Sequence, residues 1–152
     1  MLIDHEPFFL RPSIHFDILQ TEELTYIDQY MPRNIVKILE KNFSDMKAGE
    51  KMLISSPEVI SEYISKIPMG TNITPKEMRH ALAKEKGADN TCPVTTGIFL
   101  RIAIEEVLGV FKIDDAPLPF WRVIDEKHPI LRKLGIPPSE ITRMRQKEVS
   151  QN

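Results

Sequence analysis

The chain has 152 residues, enough for one domain or for a small domain with an extension. Its hydrophobic content of 41% and charged content of 28% are ordinary for a globular protein, and no apolar run approaches the roughly 18 residues that would span a bilayer. A single cysteine excludes an intramolecular disulfide, the histidines are scattered, and the N-terminus lacks the features of a signal peptide. We therefore expect a cytoplasmic protein that uses no metal or other cofactor and does not bind membranes.

The charge is unevenly distributed along the chain, although the net value is only −2. Residues 1–46 contain four lysines and arginines against eight aspartates and glutamates, whereas residues 47–101 contain eight against six. The positive excess of the central part is far below that of a tight phosphate binder. It predicts a modest affinity for double-stranded DNA at best.

The N-terminal part is predicted to be an acidic helical extension that covers residues 1–46. Alternating apolar residues over 14–18 indicate a short strand, and the apolar spacing over 21–31 indicates a helix. A second helix is predicted after Asn34, with these residues on its apolar side: Ile35, Ile38, Leu39 and Phe43. The extension either packs on the rest of the chain as an extra layer or binds another protein by itself.

The central part predicts a short strand over residues 51–54 and then a first helix. Ser55 or Ser56 caps this helix, because a serine hydroxyl accepts one of the free backbone N–H groups of the first turn. Its apolar stripe stops before Pro68, where the sequence P-M-G breaks the helix.

Two further helices follow at the spacing of a helix-turn-helix. The second begins at a capping box formed by Thr74 and Glu77 and stops at Gly87, which favours a left-handed end. The third follows Cys92 and runs to about Gly109. It would be the recognition helix of the pair.

The C-terminal part predicts a short strand over residues 120–124 and a final helix that Ser139 caps and that ends near Lys147. Three helices followed by a strand predict a winged helix-turn-helix domain over residues 50–152. The expected fold class is mainly α with a small β component.

The segments I-P-M-G (67–70) and I-T-P-K-E-M-R-H-A-L (73–82) resemble the start of the alkylguanine DNA alkyltransferase C-terminal domain, which reads I-P-x-G and V-T-Y-G-D-I-A-x-A-L. Downstream, P-F-W-R-V-I (119–124) resembles the active-site strand P-C-H-R-V-I of that family. The resemblance covers residues 52–125 and implies a DNA-binding domain that flips alkylated bases into a pocket.

The departures from the family pattern decide what chemistry the resemblance implies. Phe120 and Trp121 stand where the family has its alkyl-accepting cysteine and adjacent histidine, so suicide alkyl transfer should be absent. The chain is more similar in this respect to the alkyltransferase-like proteins, which have a tryptophan at the cysteine position. Pro75 replaces the family's base-flipping tyrosine, and Gly97 or Val94 replaces its arginine finger, depending on the register.

The resemblance and the predicted helix-turn-helix indicate two groups of site residues. The residues expected to contact DNA are Thr74, Lys76, Arg79, Thr95, Thr96 and Arg101. The residues expected to line the base pocket are Phe120, Trp121 and Arg122.

Each assignment has an alternative that involves no ligand. Thr95 and Thr96 either donate to phosphates or cap their helix, and Lys76 and Arg79, placed on the outer face of the second helix, either meet DNA or are solvated. Trp121 either stacks on a base or belongs to the core.

Two more residues have the same double interpretation. Arg122 either stacks on a base together with the tryptophan or fastens its strand to the helices. Cys92, at a helix N-terminus, is either a reactive thiol or a small packed residue.

The sequence therefore predicts a non-catalytic DNA-binding protein of alkyltransferase-like type, which recognises damaged or alkylated bases. The alternative is a protein-interaction module on a winged-helix scaffold that has lost DNA handling, with residues 1–46 as a binding element. An enzyme that uses Cys92 is the third hypothesis.

Overall fold

The computed structural model describes residues 32–151 and shows a mainly helical fold with a small sheet. The strands are β1 (Ile35–Ile38), β2 (Lys51–Ile54) and β3 (Asn90–Thr91). The helices are α1 (Pro57–Ser65), α2 (Pro75–Glu85), α3 (Pro93–Leu108), α4 (Ile130–Leu134) and α5 (Pro138–Gln151). Short 3-10 helices cover Ile113–Asp115 and Phe120–Arg122.

Some expectations cannot be compared with this part of the chain. The predicted strand over 14–18 and the predicted helix over 21–31 lie outside the described residues. Within 32–151, no helix is long and apolar enough to cross a membrane.

The sheet has the order β1-β2-β3, with β1 antiparallel to β2 and β2 parallel to β3. The helix predicted after Asn34 is wrong, because β1 occupies this position and pairs with β2. Asn34 adopts a left-handed conformation (φ 54°), and its N–H donates to the carbonyl of Ser55 at 3.1 Å. The β-branched residues of β1 then extend along β2, so long-range pairing overrides a helix-like spacing. Thus β1, which lies inside the predicted extension, is hydrogen-bonded to the predicted domain.

The local signals in the central part are confirmed. The strand over Lys51–Ile54 is present, and Ser56 caps α1 by accepting from the N–H of Val59. At α2, Thr74 and Glu77 form both hydrogen bonds of the capping box. Gly87 ends that helix region with a φ of 69°.

The central helix of the core is α3. It packs against α1, while α2 packs against β3, so the two helices of the predicted helix-turn-helix have different main neighbours. They are connected by residues 86–92, which include β3, whereas a helix-turn-helix has a turn of about three or four residues. The most buried side chains of α3 are Phe99, Leu100, Ala103 and Ile104.

The C-terminal part differs from its prediction in two places. The strand predicted over 120–124 is wrong, since a 3-10 helix stands there. The N–H groups of Val123 and Ile124 both donate to the carbonyl of Phe120, so the backbone bonds within itself and not to a neighbouring strand. The final helix is confirmed and is longer than predicted, but it begins at Pro138, so Ser139 lies inside it and the predicted serine cap is wrong. Helix α4 lies in a stretch that is predicted to be turns.

Candidate functional site

The segment that resembles an active-site strand is buried. Phe120 is 0% and Trp121 is 4% exposed, and their rings meet edge to face with centroids 5.5 Å apart. Trp121 is thus packed in the core, in agreement with the ligand-free alternative for this residue.

Glu148 from α5 holds this segment in place. Its carboxylate accepts from the indole N–H of Trp121 at 2.9 Å, from Nη2 of Arg122 at 2.7 Å and from the backbone N–H of Gly70 at 3.1 Å. Arg122 also donates to the carbonyl of Ile67. Arg122 therefore fastens the 3-10 helix both to α5 and to the loop that follows α1.

Burial alone raises the pKa of the Glu148 carboxyl, but the hydrogen bonds from Arg122, Trp121 and Gly70 together outweigh it. The pKa of Glu148 therefore lies below its ordinary value of 4.5, and the residue is ionised at neutral pH. The Glu148 carboxylate accepts from an indole, a guanidinium and a backbone N–H, so this network connects α5 to the rest of the fold. The indole N–H of Trp121 is therefore already hydrogen-bonded and is not available to a ligand.

Sequence reasoning missed Glu148 and a second clamp from the same helix. Arg145 donates to the carbonyls of Trp121 at 2.6 Å and of Ile124 at 3.0 Å. One signal was present, because Glu148 follows Ile141 and Met144 on the buried side of α5. A carboxylate on an apolar stripe predicts a buried partner, but it does not say which one.

Arg79 has a different environment from the one predicted. The outer-face position is wrong, since Arg79 is 8% exposed and its guanidinium donates to Asp45 at 2.9 and 2.7 Å and to the carbonyl of Thr91 at 2.9 Å. The hydroxyl of Thr91 donates in turn to the carbonyl of Arg79. The hydrogen bonds from Arg79 hold the pKa of the Asp45 carboxyl below its ordinary value of 3.8.

Three polar or small side chains at the start of α3 are also buried: Cys92, Thr95 and Thr96. Cys92 is the N-cap residue and is buried, and its Sγ accepts from the N–H of Thr95 at 3.5 Å. Thr96 donates to the carbonyl of Cys92 at 2.6 Å, so neither threonine is the cap. The hydroxyl of Thr95 has no hydrogen-bond partner within residues 32–151.

The remaining predicted DNA contacts are not gathered at one surface. Arg101 is half-buried and lies 3.8 Å from the carboxylate of Glu105 on the same helix. The side chain of Thr74 is engaged in the capping box with Glu77, whereas Lys76 is exposed. The structure thus brings together the base-pocket residues, but as a closed internal network.

Two exposed features stand out on the described surface. The first is the edge of the sheet at β1, where these apolar side chains are exposed on β1 and in the turn after it: Ile35, Val36, Ile38 and Phe43. The second is a stripe along α2 whose members are four residues apart and exposed: Lys76, His80 and Lys84.

Comparison with known proteins gives no match: no family model, no curated protein and no solved structure is similar to this chain. Within residues 32–151, no group of three or more histidine, cysteine, aspartate and glutamate side chains is arranged to hold a metal ion.

Proposed function

We propose that the chain is a non-catalytic protein-interaction module, in which the exposed edge of β1 receives an extended, acidic segment of a partner protein. A cytoplasmic location is part of this proposal. The observation that carries it is the apolar sheet edge: β1 pairs with β2 on one side and with no strand of residues 32–151 on the other. An exposed edge strand offers unpaired backbone groups and alternating side chains to a further strand.

The charge around this edge indicates the chemistry of the partner. Lys37 lies in β1, and Lys51 in β2 stands opposite Ile38; both lysines are exposed. The turn that connects the two strands contains Lys41 and Lys47 but also Glu40 and Glu50, so the positive excess at this edge comes from Lys37 and Lys51. An apolar segment with interspersed acidic residues would pair with the backbone and neutralise these charges.

The residues required for the competing function are already engaged. Trp121 and Arg122 bind Glu148, and Arg79 binds Asp45. A flipped base would have to displace the Glu148 carboxylate from the indole, and a DNA phosphate would have to compete with Asp45. Displacing either carboxylate would leave a largely buried charged side chain without its partner, which costs free energy.

The test uses two blocked peptides that form strands, one alternating valine with glutamate and one alternating valine with lysine. We expect the acidic peptide to slow hydrogen exchange of the β1 amides of the full chain, and the basic peptide to leave them unchanged. Binding of both peptides, or of neither, would argue against the proposal. Sedimentation of the chain alone shows whether a second copy occupies the edge, a result that would replace the partner named here.

A matched pair of variants distinguishes binding at the β1 edge from nonspecific hydrophobic binding. Ile38 is 64% exposed on β1 and Val110 is 67% exposed after α3, so Ile38→Glu and Val110→Glu remove similar apolar surface. We expect the acidic peptide to lose affinity by at least about tenfold for Ile38→Glu, because a hydrophobic contact is replaced by charge repulsion. Val110→Glu should bind it as the wild type does.

The second candidate function is DNA binding of the alkyltransferase-like type on a winged-helix scaffold, in which α2 and α3 serve as the helix-turn-helix pair. The observation that favours it is the exposed stripe on α2, where Lys76 and Lys84 are about 12 Å apart along the helix axis. Such a stripe can contact two phosphates of a duplex, which would give modest, salt-dependent affinity.

Fluorescence anisotropy with a short duplex, with and without one alkylguanine, tests this second function. If it is correct, Lys76→Glu with Lys84→Glu abolishes binding, and Lys133→Glu, an exposed change on α4, preserves it. Preference for the lesion duplex would support base recognition. Absence of binding to both duplexes at low salt would exclude the DNA function.

A further inference from the structure

We infer that the corner between the beginnings of α1 and α3 binds a phosphate group. β2 and β3 run parallel, and α1 and α3 begin within a few residues of the ends of these strands, so both helix N-termini lie at the same edge of the sheet. α1 and α3 also pack against each other. The unpaired N–H groups of a first helical turn and the helix dipole both favour an anion. This inference is independent of the sheet edge at β1.

Two buried hydroxyls in this corner are unsatisfied. Ser55 is 1% and Thr95 is 8% exposed, and neither hydroxyl has a hydrogen-bond partner among the described residues. A single unpaired buried hydroxyl is uncommon, because its desolvation is not compensated. Two of them, one before α1 and one in the first turn of α3, indicate a group that accepts from both.

Two contacts link Arg33 and its neighbour Asn34 to the elements that carry these hydroxyls. The carbonyl of Ser55 accepts from the N–H of Asn34, the residue that follows Arg33. Thr95 and Phe99 are four residues apart on one face of α3, and the Cζ atom of Arg33 lies 5.5 Å from the centroid of the Phe99 ring. The guanidinium is therefore next to the face of α3 that carries Thr95.

Arg33 also connects this corner to α1. Its Nη1 is 3.5 Å from the Glu58 carboxylate in the first turn of α1, and the Glu58 side chain is 72% exposed. In this position the Glu58 carboxylate pairs with the guanidinium of Arg33, with which a bound anion would otherwise pair. In this site a phosphate group replaces Glu58 beside Arg33, and movement of these two side chains gives it access to the hydroxyls.

The test is the thermal unfolding midpoint of the full chain at increasing inorganic phosphate and constant ionic strength. A ligand that binds the folded state raises the midpoint, and the titration gives an apparent dissociation constant. We expect Thr95→Val to raise the midpoint without phosphate, since it removes an unpaired hydroxyl, and to weaken the apparent affinity by about tenfold. Thr142→Val, on the exposed side of α5, should do neither.

A second variant keeps the test independent of the packing around Thr95. Glu58→Gln removes the competing carboxylate from the surface, so we expect a tighter apparent affinity for phosphate. Methyl phosphate distinguishes the two sources of the group: a response to both ligands indicates the phosphate of a larger molecule, and a response to phosphate alone indicates the free ion. Either response supports the site.

Three results would overturn the inference. The first is a wild-type midpoint that phosphate does not change, or that acetate raises equally. The second is an unchanged phosphate response in Thr95→Val, which would place the ion elsewhere. The third is a lower midpoint of Thr95→Val in phosphate-free buffer, which would show that a water molecule already satisfies the hydroxyl.

Discussion

Arg79 and Asp45 form the ion pair that ties the turn after β1 to α2. The Arg79 side chain is 10% exposed and the Asp45 side chain is 40% exposed, so the charges are only partly desolvated. The same guanidinium satisfies the carbonyl of Thr91 at the end of β3. One side chain thus connects three elements.

We expect Arg79→Ala to lower the free energy of unfolding by about 2 kcal/mol, less than the 3–5 kcal/mol of a fully buried pair because solvent reaches Asp45. Urea denaturation measures the change. Lys84→Ala, exposed on the same helix, should stay within about 0.5 kcal/mol of the wild type. Equal effects of the two substitutions would contradict the structural role assigned to Arg79.

Glu148 makes stability depend on acid pH. Because its pKa is below 4.5 in the folded chain, its contribution is present at pH above about 4.5 and is lost as the pH falls through the folded pKa. We expect Glu148→Gln to cost about 3 kcal/mol at pH 7 and to flatten this part of the pH profile.

Thermal unfolding of both proteins between pH 3 and 7 checks this prediction, and other carboxyl groups cancel in the difference between the two profiles. The fluorescence of Trp121 supplies a local measurement, since its indole N–H donates to Glu148. A difference in stability that does not change with pH would be incompatible with a low pKa at Glu148.

The partners of these residues could not be predicted from the sequence. Asp45 is 34 positions from Arg79, and Glu148 is 27 positions from Trp121. Helical spacing shows which face of a helix a residue occupies, but the element that covers this face depends on the whole fold. Arg79 is therefore predicted on the outer face of its helix, in contact with DNA or solvent, although it is next to Met78, which is fully buried.

At the level of elements, the sequence predicts the start of a helix correctly where a capping hydrogen bond between near neighbours fixes it. The capping box at Thr74 and the serine cap of α1 fix helix starts through hydrogen bonds three residues away. The two wrong elements, over 35–38 and 120–124, depend on distant neighbours. β1 exists because β2 is available for pairing, whereas the second segment pairs with no strand among residues 32–151 and forms a 3-10 helix.

Glycine substitutions in two elements should have opposite signs. Gly87 has a φ of 69°, whereas Gly97 lies within α3, and an added Cβ would meet no atom within 4 Å at either position. We expect Gly97→Ala to stabilise the chain by about 0.5–1 kcal/mol and Gly87→Ala to destabilise it by about 1–2 kcal/mol. Urea denaturation gives both values, and changes of the same sign would contradict this assignment of the two backbones.

At the level of the whole molecule, long-range contacts join the first and last described elements to one core. β1 is bonded to β2, which is bonded to β3, and the Asp45–Arg79 pair crosses from the turn after β1 to α2. At the other end, α5 is bound through Glu148 to Trp121, Arg122 and Gly70. No element of residues 32–151 that carries these contacts can separate without breaking backbone hydrogen bonds or an ion pair.

We therefore expect residues 32–151 to unfold as one cooperative unit. Trp121 is the single tryptophan and lies where α5 meets the core, so its fluorescence reports one region, while far-UV circular dichroism reports all helices. In urea the two transitions should have the same midpoint and slope. If the fluorescence transition came first, α5 would be a separate unit that leaves the core before the helices unfold. Arg79→Ala provides the control, because a change at the opposite end of a cooperative unit must move both transitions together.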